Sequence, residues 1–169
     1  MKSVGESMSI GATFAESLQK ALRSMETELT GLDPVEVPGS GDSGDPSAIL
    51  AALARPTPER LLLIASAFRV GVELEDIQLA THFDPWFLEQ IQTIVAAEKT
   101  VEANGLPSSA MGWRVLKTLG FSDARLAALA GVEVSGATTE RLNYDVQAIY
   151  RRVDTCAAEF GSQTSYMYS

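Results

Sequence analysis

Apolar residues recur at three- and four-residue intervals over most of this chain, and the longest such run opens at Asp84-Pro85-Trp86. Phe87, Leu88, Ile91, Ile94, Val95 and Val101 form one continuous stripe. It is interrupted at Glu98, and it reaches to about Ala103 before Asn104-Gly105 stops it. Asp84 is placed to accept a hydrogen bond from a free N–H of the first turn. Pro85 sits where no donor is needed and its fixed φ suits a helix. This segment is predicted to be the central core helix.

The pattern before it is mixed. Val4, Glu6, Met8 and Ile10 fall on alternate positions with Ser or Gly between them, an extended segment with little side chain to hold a sheet alone. At Thr13 the period changes. Thr13-Phe14-Ala15-Glu16 has the form of a capping box, and Leu18, Ala21, Leu22, Met25 and Leu29 share the helical face that follows, with Gly31 as its end. Residues 33 to 46 hold three prolines, three glycines and four acids, a loop with almost nothing to bury. A short helix is expected from about Ser47 to Ala54. Another follows from Thr57-Pro58, with Thr57 as its cap, Leu61, Leu62, Ile64, Ala65 and Phe68 inward and Gly71 as its end. An acidic helix from about Glu73 to Thr81 leads to the central one.

Beyond Gly105 the elements shorten. Ser108 or Ser109 caps a helix carrying Met111, Val115, Leu116 and Leu119, and Ser122 caps Asp123 to Ala130 with Leu126 and Leu129 inward. A third helix covers about Ser135 to Asn143. From Val146 the residues alternate again, and Tyr166-Met167-Tyr168 is aromatic, so both ends read as strands that lack their sheets, as in a piece of something longer. The expectation is an all-α fold, an irregular bundle of about seven or eight helices with short extended tails.

Composition narrows the chemistry. The chain of 169 residues is long enough to bury a sizeable core, and its net charge of −9 with dispersed cations argues against nucleic acid or an anionic membrane as partner. No apolar run is long enough to span a bilayer. A single cysteine, Cys156, gives no intramolecular disulfide and fits a cytoplasmic setting. His82 is the only histidine, so a histidine-rich metal site is excluded, no CxxC pair offers a zinc site, and Cys156 lacks a second histidine to activate it. His82 is read instead as part of the approach to the Asp84 cap. Gly41-Asp42-Ser43-Gly44 repeats the start of a serine-protease nucleophile motif, but it lies in an acidic loop with no triad around it; with no lysine it cannot cradle phosphate either. Glu73, Glu75 and Asp76 read as a solvated helix start, and Arg151-Arg152 beside Asp154 as a local ion pair. Leu119-Gly120-Phe121-Ser122-Asp123 resembles the loop of small ubiquitin-binding three-helix domains. A tight turn with Phe121 stapled to the core is the preferred reading. No catalytic, cofactor-binding or metal-binding residue is assigned.

Three stretches together resemble the large subunit of carbamoyl-phosphate synthetase. Met1-Lys2-Ser3-Val4-Gly5-Glu6 with Ile10-Gly11 and Thr13-Phe14 is similar to the strand closing its first ATP-grasp unit. The residues from Asp84 to Ile91 and from Gly120 to Ala127 are similar to its central helical region. Those from Tyr150 to Phe160, with Tyr166-Met167-Tyr168-Ser169, are similar to the entry into its second unit. Ser7, Ala12 and Gln147-Ala148 depart from that family, which usually has valine, arginine and His-Pro there. The resemblance implies that residues 1–12 end the preceding ATP-grasp unit, 13–145 form the helical oligomerisation domain, and 146–169 connect to the second unit.

It further implies a complete enzyme that makes carbamoyl phosphate from bicarbonate, ammonia or glutamine and two ATP, for pyrimidine and arginine synthesis. ATP and divalent metal would lie in the flanking units, with none in this segment. The implied partners are those units, other large subunits and a glutaminase small subunit. The first helix (Thr13 to Leu29) and the short helices around Ile49 and Leu53 are the expected self-association surface. The other class considered is a stand-alone adaptor gripping a partner through Phe121.

Overall fold

The helix opened by Asp84 organises the packing. The computed structural model describes residues 6–25, 27–37 and 44–169, and among them the chain forms eight helices. These are α1 (Phe14–Ser24), α2 (Pro46–Leu53), α3 (Arg60–Arg69), α4 (Leu74–Thr81), α5 (Pro85–Asn104), α6 (Ala110–Thr118), α7 (Asp123–Ala130) and α8 (Val134–Asn143). Asp84 Oδ1 accepts from Trp86 N at 2.9 Å, and Gly105 closes α5 with φ of 78°. α5 runs for 20 residues and touches α1, α3, α4 and α7. Leu88, Ile91, Ile94, Val95 and Val101 are buried against these neighbours, together with Leu32, Ile49, Leu53, Ile64, Ile77, Trp113, Phe121 and Leu126. The fold is all-α apart from a two-residue antiparallel ladder of β1 (Arg151–Arg152) with β2 (Met167–Tyr168), in which Arg151 faces Tyr168. Both strands lie in the C-terminal tail, which thus pairs with itself. Residues 1–5 of the expected first strand, and Gly41-Asp42-Ser43, lie outside the described residues.

Capping chemistry places most helix starts. Thr13 Oγ1 accepts from Glu16 N at 3.1 Å, Ser109 from Gly112 N at 3.2 Å and Ser122 from Arg125 N at 3.0 Å. Glu16 returns the bond to Ala12 N rather than to Thr13 N, so the expected box is displaced by one residue. Two expectations fail. α1 ends at Ser24, well short of Leu29, because the chain must turn to drive Leu32 fully into the core. Glu28 takes up a left-handed φ of 63° on the way. Thr57 does not cap α3: residues 57–59 form a turn and the helix begins at Arg60. Arg60 is held there by tertiary contacts, donating Nε and Nη2 to Leu53 O at 3.0 and 2.8 Å and lying over the Phe83 ring at 5.5 Å. The loop after α1 also buries more than expected, since Val35 and Val37 pack on the core.

Glu98, the break in the α5 stripe, is 1 % exposed. Arg69 of α3 reaches its Oε2 through Nε and Nη2 at 3.0 and 2.6 Å. Arg125 of α7 reaches its Oε1 through Nε and Nη2 at 2.8 and 2.7 Å. Arg125 Nη1 continues to Asp33 Oδ1 at 3.1 Å, and Arg69 Nη2 also donates to Leu32 O. Two cations and two carboxylates balance, which is how charge is tolerated at this depth. The cluster joins α3, α5, α7 and the loop after α1.

A second cluster fixes the α6–α8 end. Asp123, in the first turn of α7, accepts from Lys117 Nζ at 2.7 Å, from Thr138 Oγ1 at 3.0 Å and from Arg141 Nη2 at 2.9 Å. Burial by itself pushes this carboxyl up. The hydrogen bonds from Arg141 and Lys117, with the Lys117 charge and the Thr138 hydroxyl, outweigh it and bring it down to about 2 from the usual 3.8.

Removing the Glu98 charge by Glu98→Gln leaves Arg69 facing a neutral amide and Arg125 with Asp33 as its one carboxylate. It should cost about 3 kcal/mol of stability in urea denaturation, and a loss within experimental error would show that the cluster is not a determinant of the fold. For Asp123 the folded-state pKa is depressed, so its contribution is complete above about pH 4 and disappears as pH falls towards 2. The stability gap between the parent chain and Asp123→Asn should therefore narrow over that interval. A gap that stays constant with pH would contradict the depressed pKa.

Candidate association surface

The residues singled out for chemistry do not converge. His82 ends α4 in a left-handed conformation, φ 57°, and is exposed; it closes the preceding helix rather than building the Asp84 cap. Cys156 is a half-buried free thiol in the tail, remote in sequence from His82. Asp154 does not pair with the arginines beside it. Its carboxylate accepts from Cys156 N at 2.9 Å and Ala158 N at 2.7 Å, while Arg152 Nη1 donates to Ser162 O at 3.1 Å. The turn 154–158 takes this carboxylate because positive φ at Ala157 and Ala158 curls the chain so that the N–H groups of Cys156 and Ala158 face it. Glu73, Glu75 and Asp76 are exposed at the start of α4, as expected of a solvated first turn. Among the described residues no group of three His, Cys, Asp or Glu gathers to hold a metal ion, and no helix is long and apolar enough to cross a membrane.

Phe121 is 2 % exposed and belongs to the core, so it staples the α6–α7 turn and offers nothing to a partner. That turn is clamped by α1. Thr13 Oγ1 donates to Thr118 O at 3.2 Å, Gln19 Nε2 to Leu119 O at 2.8 Å and Arg23 Nη1 to Gly120 O at 2.6 Å. Gly120 has φ of 90°, and a Cβ there would stand 2.8 Å from Glu16 Cα. Only glycine lets the turn lie this close to the α1 backbone. The buried side of α1, with Ala15, Gln19 and Leu22, is therefore committed to the fold. The same holds for Ile49 and Leu53, which are 1 % and 0 % exposed. These two residues of the expected self-association surface are core instead, because α2 packs against α3 and α4.

What the fold leaves uncovered lies elsewhere. Trp86 and Phe87, in the first turn of α5, are 49 % and 44 % exposed. They meet Phe14 of α1 in an edge-to-face trio, with ring centroids 5.0 to 5.4 Å apart. Phe87 thus departs from the buried stripe to which its spacing assigned it. α6 likewise turns Trp113 and Leu116 inward and leaves Met111 and Val115 exposed, beside an apolar groove of about 440 Å³ along the end of α5. The signal for these surfaces was present in the sequence as surplus. The apolar residues of the first turn of α5 and of α6 exceed what one helical face can bury.

The comparisons with known proteins agree with an architecture built for contact. Residues 6–145 match the family model described as carbamoyl-phosphate synthetase large chain, oligomerisation domain. The carbamoyl phosphate synthase large chain of Mesorhizobium japonicum is 53 % identical over 176 aligned residues, which take in the whole of this chain and 15 % of that one. The corresponding protein of Brucella melitensis is 51 % identical over 169 residues, again the whole of this chain and 14 % of its own. That of Xanthomonas campestris is 45 % identical over 170 residues and 16 % of its length. The chain therefore spans about a sixth or less of the curated relatives it matches. By a family match over most of its length and identity near one half throughout, the chain belongs to the oligomerisation-domain family of the carbamoyl-phosphate synthetase large chain.

Proposed function

We propose that this chain is the helical spacer and self-association module of a large subunit that, when complete, makes carbamoyl phosphate. The reaction would draw on bicarbonate, ammonia or glutamine and two ATP, and it would serve pyrimidine and arginine synthesis in the cytoplasm. The observation that carries the reading is the whole-length match to relatives named carbamoyl phosphate synthase large chain, of which the chain covers only 14 to 16 %. The remaining length leaves room for ATP and metal sites in flanking units, and for contact with a glutaminase small subunit. On this reading residues 1–12 and 146–169 are connections to those units and 13–145 is the module between them.

The Phe14, Trp86 and Phe87 trio is the surface we assign to association with another large subunit. Half-exposed tryptophan and phenylalanine held rigidly by their neighbours supply large contact area at small entropic cost, and tryptophan is enriched among residues that dominate interfaces. The trio also sits at the α1–α5 junction, so a partner bound there would grip the helix on which the core is built. Part of the expected surface survives in this assignment, since Phe14 opens α1. Sedimentation across a concentration series should show reversible self-association, weakened at least about tenfold (about 1.4 kcal/mol) in Trp86→Ala. A chain that stays monomeric at all concentrations, with an assembled enzyme indifferent to this substitution, would contradict the proposal. An effect confined to Met111→Glu would move the interface to α6.

A further inference from the structure

In a molecule of net charge −9, four of the thirteen lysine and arginine side chains converge on one recess. Lys20 and Arg23 come from α1, Lys117 from α6 and Arg141 from α8, around a cavity of about 270 Å³. Two side-chain carboxylates face them. Glu16 bonds Lys20 at 2.5 Å, and Asp123 takes both Lys117 and Arg141. In the 169-residue chain the terminal carboxylate of Ser169 also borders the recess and accepts from Lys20, so four cations stand against three carboxylates and one positive charge is left uncompensated.

The donors are not equally engaged. Arg141 directs Nε and Nη2 to Asp123 and Nη1 to Val146 O, and Lys20 directs its ammonium to Glu16, Ile10 O and an oxygen of Ser169. These two supply field more than free N–H groups. Lys117 uses two of its three N–H donors, on Phe121 O and Asp123. Arg23 makes one bond, to Gly120 O at 2.6 Å, and no ion pair with it forms among the described residues. Four of its five donors remain. Burial lowers the pKa of Arg23. It also lowers that of Lys117, where the Arg141 and Arg23 charges act in the same direction and the hydrogen bond and charge of Asp123 oppose. A half-buried guanidinium among like charges is costly unless an anion joins it.

We propose that this recess binds a phosphate-type oxyanion, with Arg23 as the bidentate donor, Lys117 as the second and Lys20 and Arg141 supplying the field. A phosphate anion supplies the counter-charge that the surplus cation lacks, and its oxygens match the guanidinium fork. The volume falls just below that of pockets enclosing drug-sized ligands. It admits a tetrahedral anion. A competing account is that the cations do no more than cap the carbonyls of the α6–α7 turn, and that account predicts no saturable site.

Inorganic phosphate, titrated into the 169-residue chain at constant ionic strength with chloride as the replaced anion, should raise Tm along a saturating curve. The apparent affinity should fall at least tenfold in Arg23→Gln and remain unchanged in Arg151→Gln, a cation of the exposed tail. Glycerol 2-phosphate in a second arm distinguishes a site for free phosphate from one that accepts an esterified group. A rise in Tm that does not saturate, or one that Arg23→Gln shares in full, would overturn the proposal. If Arg23→Gln fails to fold, the parent chain decides alone. The side-chain Nε resonance of Arg23 must shift on phosphate addition, and its constancy overturns the site.

Discussion

The carboxylate of Glu98 is the interaction on which the rest of this structure depends. An ionised group at 1 % exposure is destabilising by itself, and it persists because two guanidinium groups approach it from different helices and occupy both of its oxygens. That requirement is geometric. Arg69 and Arg125 reach Glu98 together only if α3 and α7 both pack on α5 within reach of that side chain, and Arg125 reaches Asp33 only if the loop after α1 comes up to α7. Hydrophobic burial along α5 drives collapse, but Leu and Ile are interchangeable partners across many arrangements. The charge cluster singles out one arrangement by leaving buried charge unpaired in the others.

The same logic recurs at the α6–α7 turn. Thr118, Leu119 and Gly120 present carbonyls at the end of a helix, where no intrahelical partner exists. Thr13, Gln19 and Arg23 of α1 meet them in turn. Gly120 allows the approach and Phe121 anchors it, so a segment that looks like an ordinary connection becomes the seat of the first helix. This arrangement also concentrates cations on one side of α1, and it explains how an acidic chain comes to hold a basic recess. Association surface and anion recess are thus separate products of the same packing. The aromatic trio lies at the N-terminal ends of α1 and α5, and the recess lies along α1 towards α6 and α8.

Much of this was legible in the residues, for identifiable reasons. Asp84-Pro85, Ser109 and Ser122 place helix starts through bonds made within three residues, and Gly105 and Gly131 end helices through their own positive φ. Such local rules survive any tertiary arrangement. The misplacements occur where a distant partner intervened. α1 stops early because Leu32 has a place in the core, α3 starts late because Arg60 is held by the end of α2, and Asp154 turns from its neighbouring arginines to the amides of a tight turn.

The sequence by itself determined the all-α class, the central helix and most capped boundaries, and the family to which the chain belongs, because each rests on local periodicity, capping or extended residue identity. Only the tertiary structure decided which of the surplus apolar residues are core and which are surface. Ile49 and Leu53 went inward while Trp86, Phe87, Met111 and Val115 stayed out. Periodicity marks a face as apolar without saying what covers it. Nor does spacing along one chain reveal that Glu98, an apparent flaw in a hydrophobic stripe, meets cations from positions 69 and 125.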